Sequence, residues 1–145
     1  MTMSVREATR ADLPALRALH GLLDAPVPDL FDGLPPGVTL VSTADGVPVG
    51  YVHSFTGEVA HVAELFVAPA HRREGRGRRL FLAVLARLRR EGCRAAELVV
   101  APENTSARAL YEELGFEAGE RLHGYYDSGD EEEEAGDAVR YRLQL

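Results

Sequence analysis

The chain has 145 residues, a formal net charge of −7, 46% hydrophobic residues and 27% charged ones, which fits one domain spanning 1–145 with a real core and leaves no length for a second unit. No apolar run reaches the roughly 18 residues of a membrane span, and the opening MTMSVREATR lacks the apolar segment of a secretion signal, so a soluble protein with no membrane partner is expected. The single cysteine, Cys93, forms no internal disulfide and suits a reducing, cytoplasmic setting.

In chain order, VREAT alternates as a short strand. RADLPALRALHGLL then places Leu13, Leu16, Leu19 and Leu23 at helical spacing, with Asp12 or a neighbour as cap and Pro14 in the first turn. DAPVPDLFDGLPPG is too rich in proline and glycine for regular structure beyond a turn and reads as a loop or a broken short helix. VTLVSTADGVPVGYVHSF is a hairpin across Asp45-Gly46, a dipeptide that tolerates the positive φ of a tight turn. EVAHVAELFVAP supplies the next strand. From Gly77, the residues Leu80, Phe81, Val84, Leu85 and Leu88 form the stripe of an amphipathic helix that stops near Gly92. AAELVVA is a short buried strand and NTSARALYEELGF a helix stopped by Gly115. ERLHGYY and VRYRLQL are final strands flanking the acidic run DSGDEEEEAGD, which repels itself and reads as a solvated loop.

Charge is concentrated rather than spread. All sixteen basic residues are arginine, and nine of them lie between His71 and Arg94 against only Glu74 and Glu91. That surplus of seven positive charges, within a total of −7, leaves the remainder of the chain at −14. A cationic segment inside an anionic body points to an anion held by that segment and to a cationic second partner elsewhere. The segment also leads into a helix start, where unpaired N–H groups and the positive end of the helix dipole favour anions. Gly75 and Gly77 would let a phosphate approach the amides closely, and Arg72, Arg73, Arg76 and Arg78 add side-chain charge. A phosphate or pyrophosphate is the ligand this predicts.

Three phosphate motifs compete. A Walker loop requires a lysine followed by Ser or Thr, and the chain has no lysine. A dinucleotide fingerprint requires a third glycine where Leu80 stands. The remaining pattern is R-x-x-G-x-G, here Arg72-Arg73-Glu74-Gly75-Arg76-Gly77 after the strand ELFVAP. It resembles the acetyl-coenzyme A signature of the GCN5-related N-acetyltransferase (GNAT) family, and the resemblance extends to the order of elements along nearly the whole chain, including ENTSARALYEELGF after the next strand.

The resemblance implies an α/β fold with a mixed, mostly antiparallel twisted sheet of six or seven strands and helices on both faces. It also implies transfer of an acetyl group from acetyl-CoA to a primary amine by direct attack. By position, the main chain of Leu65, Phe66 and Val67 would meet the pantetheine arm, a strand amide near Val67 would steady the oxyanion, and the amides from Arg73 through Glu74 to Arg78 would hold the pyrophosphate. Asn104 would cap the following helix and also touch the coenzyme. Tyr111 falls on the stripe Ala107, Leu110, Tyr111, Leu114, which by periodicity alone faces the core; the resemblance makes it the acid that protonates the departing thiolate.

The proton acceptor is less determined. A lysine-like amine of pKa about 10.4 must lose a proton before attack. Family members acting on ribosomal proteins often carry a glutamate five residues before the asparagine, where this chain has Val99. Glu64 is the candidate base, directly or through water, with His53, His61 and His123 as alternatives. The acidic loop 127–137, with Asp24, Asp29 and Asp32, is read as a solvated turn or as a funnel for a cationic amine. No metal site is expected, because the histidines show no ligand spacing. A nucleic-acid partner is not expected either, and the chain is read as a monomer or homodimer. The competing readings are an N-terminal protein acetyltransferase, a non-catalytic acyl-CoA sensor and a dinucleotide-binding module.

Overall fold

In the computed structural model, which describes residues 3–24, 26–126 and 136–145, seven strands form one sheet in the order β1-β2-β3-β4-β5-β7-β6. The strands are β1 (Met3–Glu7), β2 (Val38–Ala44), β3 (Val47–Phe55), β4 (Val59–Val67), β5 (Ala95–Val100), β6 (Glu117–Tyr126) and β7 (Gly136–Gln144). Every neighbouring pair is antiparallel except β4 with β5. Three α-helices accompany the sheet: α1 (Leu13–His20), α2 (Arg76–Arg90) and α3 (Thr105–Glu113). The expected mixed sheet and element order are present. Most of the acidic run, residues 127–135, lies outside the described residues, and with it most of the expected funnel.

Two apolar layers cover the two faces of the sheet. On one, the α2 stripe Leu80, Phe81, Val84, Leu85 and Leu88 is buried against Val38, Leu40, Val52, Ala60 and Val62, with Tyr111 and Leu114 of α3 packed beside it. On the other, Leu16 and Leu19 of α1 meet Leu30, Phe31, Val41 and Tyr51. Each fully buried side chain of this kind contributes about 1.5–3 kcal/mol, so α2, whose apolar face is buried from Leu80 to Leu88, is the main clamp on the sheet.

The local signals explain most element ends. Asp45 (φ 50°) and Gly46 (φ 85°) form the hairpin turn between β2 and β3 with two successive left-handed residues. Asp12 precedes α1, but its carboxylate does not cap that helix. It turns back to accept from Arg6 at 2.8 and 2.9 Å and from the Thr9 N–H at 2.8 Å, which ties β1 to the helix entry. These bonds hold its pKa below the usual carboxylate value, the hydrogen bond from Arg6 being the largest cause.

Two bulges are not visible in the alternation of the strands. Ser42 pairs with Gly50 and Thr43 with Pro48, so Val49 is an extra residue on β3. His53 pairs with Glu64 and Ser54 with Val62, so Ala63 is an extra residue on β4. The second bulge reverses the facing of β4. Ala60 and Val62 belong to the α2 layer before it, whereas after it Leu65 and Val67 pack on that layer and Phe66 and Ala68 on the α1 layer.

His53 is fully buried on β3, with Nδ1 hydrogen-bonded to Thr39 Oγ1 at 2.8 Å. It is therefore a packed core histidine rather than a group open to substrate. Burial pushes its pKa from 6.5 down to about 4, with the backbone of Pro36 and Val38 opposing that shift. Between those values the unfolded chain binds a proton that the folded chain refuses. Stability is therefore complete above pH 6.5 and falls as the pH drops toward about 4. Urea unfolding midpoints measured across this window should decline for the native chain and flatten for His53→Gln, while a decline at lower pH, owed to Asp12, persists in both.

Candidate active site

The parallel pairing of β4 with β5 covers only Val59 with Ala95, Ala60 with Ala96 and His61 with Glu97. Beyond His61 the strands part, and the Ala63 bulge lies at the start of the unpaired half. The result is a wedge in the sheet, bordered by Val62–Val67 of β4 and by the end of β5. Its β4 edge carries main-chain groups with no strand partner. The Ala68 N–H donates to the Val49 carbonyl of β3 at 2.8 Å, so by strand alternation the N–H and C=O of Val67 and Leu65 point away from β3, toward the gap. Phe66 departs from the expectation for this reason. Its main chain faces its partner Tyr51 on β3, and its ring supports the Arg72 guanidinium at 5.4 Å.

The loop after β4 ends the wedge with a second set of donors. The Arg72 N–H reaches the Pro69 carbonyl at 3.4 Å, and the next backbone donor to find a carbonyl among the described residues is Arg79, on Gly75 at 3.1 Å. The intervening N–H groups, from Arg73 to Arg78, sit at the start of α2. Arg73 (φ 64°) and Gly75 (φ 78°) are both left-handed, an arrangement that gathers successive N–H groups into an anion-binding hollow. Gly75, the cap of α2, is open on all sides, so its glycine serves the positive φ. A Cβ on Gly77 would reach only the Val67 side chain, at 4.0 Å, so Gly77 keeps clear the space between the helix start and the wedge edge. Both features suit a diphosphate at the loop with its linear arm running along β4.

The arginines around this hollow divide into distinct roles. Arg72 Nε donates to the Val67 carbonyl at 2.8 Å and Arg78 pairs with Glu113 at 2.6 Å, leaving both exposed near the loop. Arg76 corrects the expectation that its charge surrounds the anion directly. Its side chain is fully buried and points to β2, because Ser42 Oγ and the Thr43 carbonyl offer acceptors there. Only its main-chain N–H remains at the hollow.

On the far side of β5, Asn104 caps α3 by accepting from the Ala107 N–H at 3.3 Å. Tyr111 lies partly buried among Phe81, Phe116 and Tyr141, with ring centroids at 5.2, 6.1 and 6.1 Å. Buried Tyr141 backs this cluster. Its hydroxyl donates to Glu112 and accepts from Arg108 Nε, both at 2.9 Å, so α3 is fastened to β7 beside Tyr111.

Glu64, the candidate base, is buried. The bulge at Ala63 turns it to the α1 face, where Oε1 accepts from the Tyr51 hydroxyl at 2.6 Å. Oε2 accepts from the Val27 N–H at 2.7 Å and lies 3.2 Å from His20 Nε2. Burial is the main cause raising the Tyr51 hydroxyl pKa, with Glu64 adding to it, so this phenol stays a donor. Glu64 thus joins β3, the end of α1 and the loop before β2. No spacing in the sequence announces His20 or Tyr51 as its partners. His61 stands at the closed end of the wedge, half-buried. Desolvation lowers its pKa, and Arg140 does so further while Glu97 opposes. His123 is exposed and 3.4 Å from Asp137. Among the described residues no cluster of His, Cys, Asp and Glu could hold a metal, and no helix is long and apolar enough to cross a membrane.

Comparison with known proteins agrees with this geometry. The profile of the acetyltransferase (GNAT) family matches residues 4–116. Aminoglycoside N(6')-acetyltransferase type 1 of Salmonella typhimurium is 29% identical over 85% of this chain and 97% of its own. L-2,4-diaminobutyric acid acetyltransferase of Nocardia farcinica is 27% identical over 74% of this chain and 59% of its own. Among solved structures, the ribosomal-protein-S18-alanine N-acetyltransferase of Escherichia coli superposes with a TM-score of 0.85 at 24% identity, over 99% of this chain and 94% of that one. A GNAT acetyltransferase of Elizabethkingia anophelis with acetyl-CoA bound gives 0.83 at 18% identity, over 99% and 98%. The chain belongs to the acetyltransferase (GNAT) family, transferring an acetyl group from acetyl-CoA to an amine.

Proposed function

We propose that the chain, acting as a single cytoplasmic domain, acetylates a small cationic amine by direct attack on the thioester. The observation that carries the reading is the parting of β4 from β5 beyond His61, which opens the sheet between the anion hollow on one side and the Glu64 cluster on the other. The diphosphate would rest on the amides from Arg73 to Arg78, and the pantetheine arm along Leu65 and Val67. The Val67 N–H, aimed into the gap, supplies a donor for the charge that develops on the thioester oxygen. Asn104, as the cap of α3, borders the same wedge and is assigned a coenzyme contact.

Tyr111 is assigned as the acid. A phenol of pKa about 10 gives a proton to a thiolate whose thiol pKa is about 8.5 only when geometry assists. The aromatic packing around Tyr111 and the Tyr141–Glu112–Arg108 fastening support such a fixed placement. Steady-state assays of Tyr111→Phe should show kcat reduced about a hundredfold with the KM for acetyl-CoA within about twofold of the native value. A full-rate Tyr111→Phe enzyme removes the assignment.

On the acceptor side the proton passes to the Glu64–His20 pair. Glu64 has no oxygen open to bulk water, so the base expected at this residue works through the imidazole that it orients. Both Glu64→Gln and His20→Asn should lower kcat by about 10²-fold with the KM for acetyl-CoA within about twofold of the native value. An unchanged kcat in either variant would reduce the pair to loop support.

The acceptor class rests on charge and on the relatives. Asp24, Asp29 and Asp32 lie in the loop that Glu64 fastens, and curated relatives act on aminoglycosides and diaminobutyric acid. Thiol release from acetyl-CoA, followed across an aminoglycoside, short diamines, monoamines and N-terminal peptides, should be fastest with the polyamines and should fall as salt rises. A preference for peptides would instead assign the chain to N-terminal protein acetylation.

A further inference from the structure

Among the described residues Arg76 has the largest fully buried side chain, and the proposed transfer chemistry makes no use of its guanidinium. Its Nη1 donates to Ser42 Oγ at 3.0 Å and to the Thr43 carbonyl at 3.1 Å, its Nε donates to Glu74 at 3.0 Å, and its Nη2 is buried without a partner. The Thr43 acceptor lies at the point where the extra residue Val49 shifts the register of β2 against β3. A guanidinium held this deep costs several kcal/mol in desolvation, and its single carboxylate partner, Glu74, is 35% exposed at the side chain. The charge is therefore incompletely balanced, and it lies under the turn that presents the amides of residues 73–78.

We propose that Arg76 is a positioning residue for the diphosphate: from beneath the loop it fastens the amide hollow to β2 and cancels the charge of Glu74, setting the affinity for the coenzyme without touching it. Two observations meet here. Arg73 and Gly75 hold left-handed dihedrals that the loop keeps only if its base is fixed, and the bonds to Ser42 and Thr43 fix it. Glu74 is an anion within the turn that receives an anion, and only its pairing with Arg76 makes that arrangement tolerable. Arg72 and Arg78 are engaged at the surface, with Val67 and Glu113, and neither reaches Glu74 in the structure. A bound diphosphate restores the balance that the orphaned Nη2 lacks, so by linkage the buried cation strengthens binding of that anion.

The proposal rests on acetyl-CoA as the donor, and the experiment separates the two ideas. Calorimetric titration of coenzyme A is carried out on the native chain and on the Arg76→Met, Glu74→Gln and doubly substituted chains. Kcat/KM is measured in parallel with acetyl-CoA and with acetyl-pantetheine, which has no diphosphate. No binding to the native chain would defeat the donor assignment itself. Where the native chain binds, Arg76→Met should raise Kd about tenfold, Glu74→Gln should lower it, and the double variant should recover part of the loss. The acetyl-CoA to acetyl-pantetheine ratio of kcat/KM should fall by about the same tenfold factor. An unchanged Kd, or an equal loss with both donors, overturns the proposal, the latter marking Arg76 as general support for the fold. If Arg76→Met does not fold, Glu74→Gln decides alone: a Kd unchanged or raised in that variant overturns it.

Discussion

Everything that positions the chemistry follows from the failure of β4 and β5 to stay paired. Parallel strands this short would ordinarily run together to their ends, yet only the register from Val59 to His61 is made. The extra residue Ala63 bends β4 just where pairing stops, and its right-hand neighbours turn their N–H and C=O groups to the gap with no strand to receive them. An unpaired strand edge inside a sheet is costly unless something else satisfies it. In the proposed function, the amide-rich arm of the coenzyme is that partner, and the defect in the sheet is where it would lie.

The second element is the treatment of charge. An acidic chain concentrates nine arginines between His71 and Arg94, but these do not form one uniform cationic surface. Arg87 and Arg94 make surface pairs with Glu91 and Glu58, which contribute little to stability. Arg72 lies over Phe66 and closes onto Val67, so it shapes the end of β4. Arg76 goes inward. The anion hollow is thus made of backbone donors first and of side-chain charge second, which is the cheaper way to hold a phosphate because amides need no desolvated counter-charge.

The face opposite α2 is organised by Glu64. Its carboxylate joins Tyr51, the Val27 N–H and His20, and Arg17 adds a donor to the Phe31 carbonyl at 2.8 Å. A loop with the prolines and glycines of residues 25–37 would otherwise be held by few contacts. Through Glu64 it is anchored to the strand that borders the wedge, so β4 and the loop before β2 move as one mechanical unit.

Much of this was legible in the sequence. The apolar stripe of α2, the Asp45-Gly46 turn, the Asn104 cap and the R-x-x-G-x-G loop are local patterns, each decided by a few neighbouring residues, and each lies where its pattern placed it. What alternation cannot reveal is a residue inserted into one strand of a pair. Ala63 looks like any other strand alanine, yet it moves Glu64 from the α2 layer to the α1 face and makes the candidate base a buried hub. Arg76 is hidden for a similar reason, since its acceptors on Ser42 and Thr43 lie more than thirty residues away in sequence. The amino-acid order alone determined the elements, their succession and the place of the glycine- and arginine-rich loop at a helix start, because those depend on short-range periodicity and dihedral preference. Only the tertiary structure decided which face each side chain serves and where the sheet opens, because both are set by register between strands that the chain brings together from a distance.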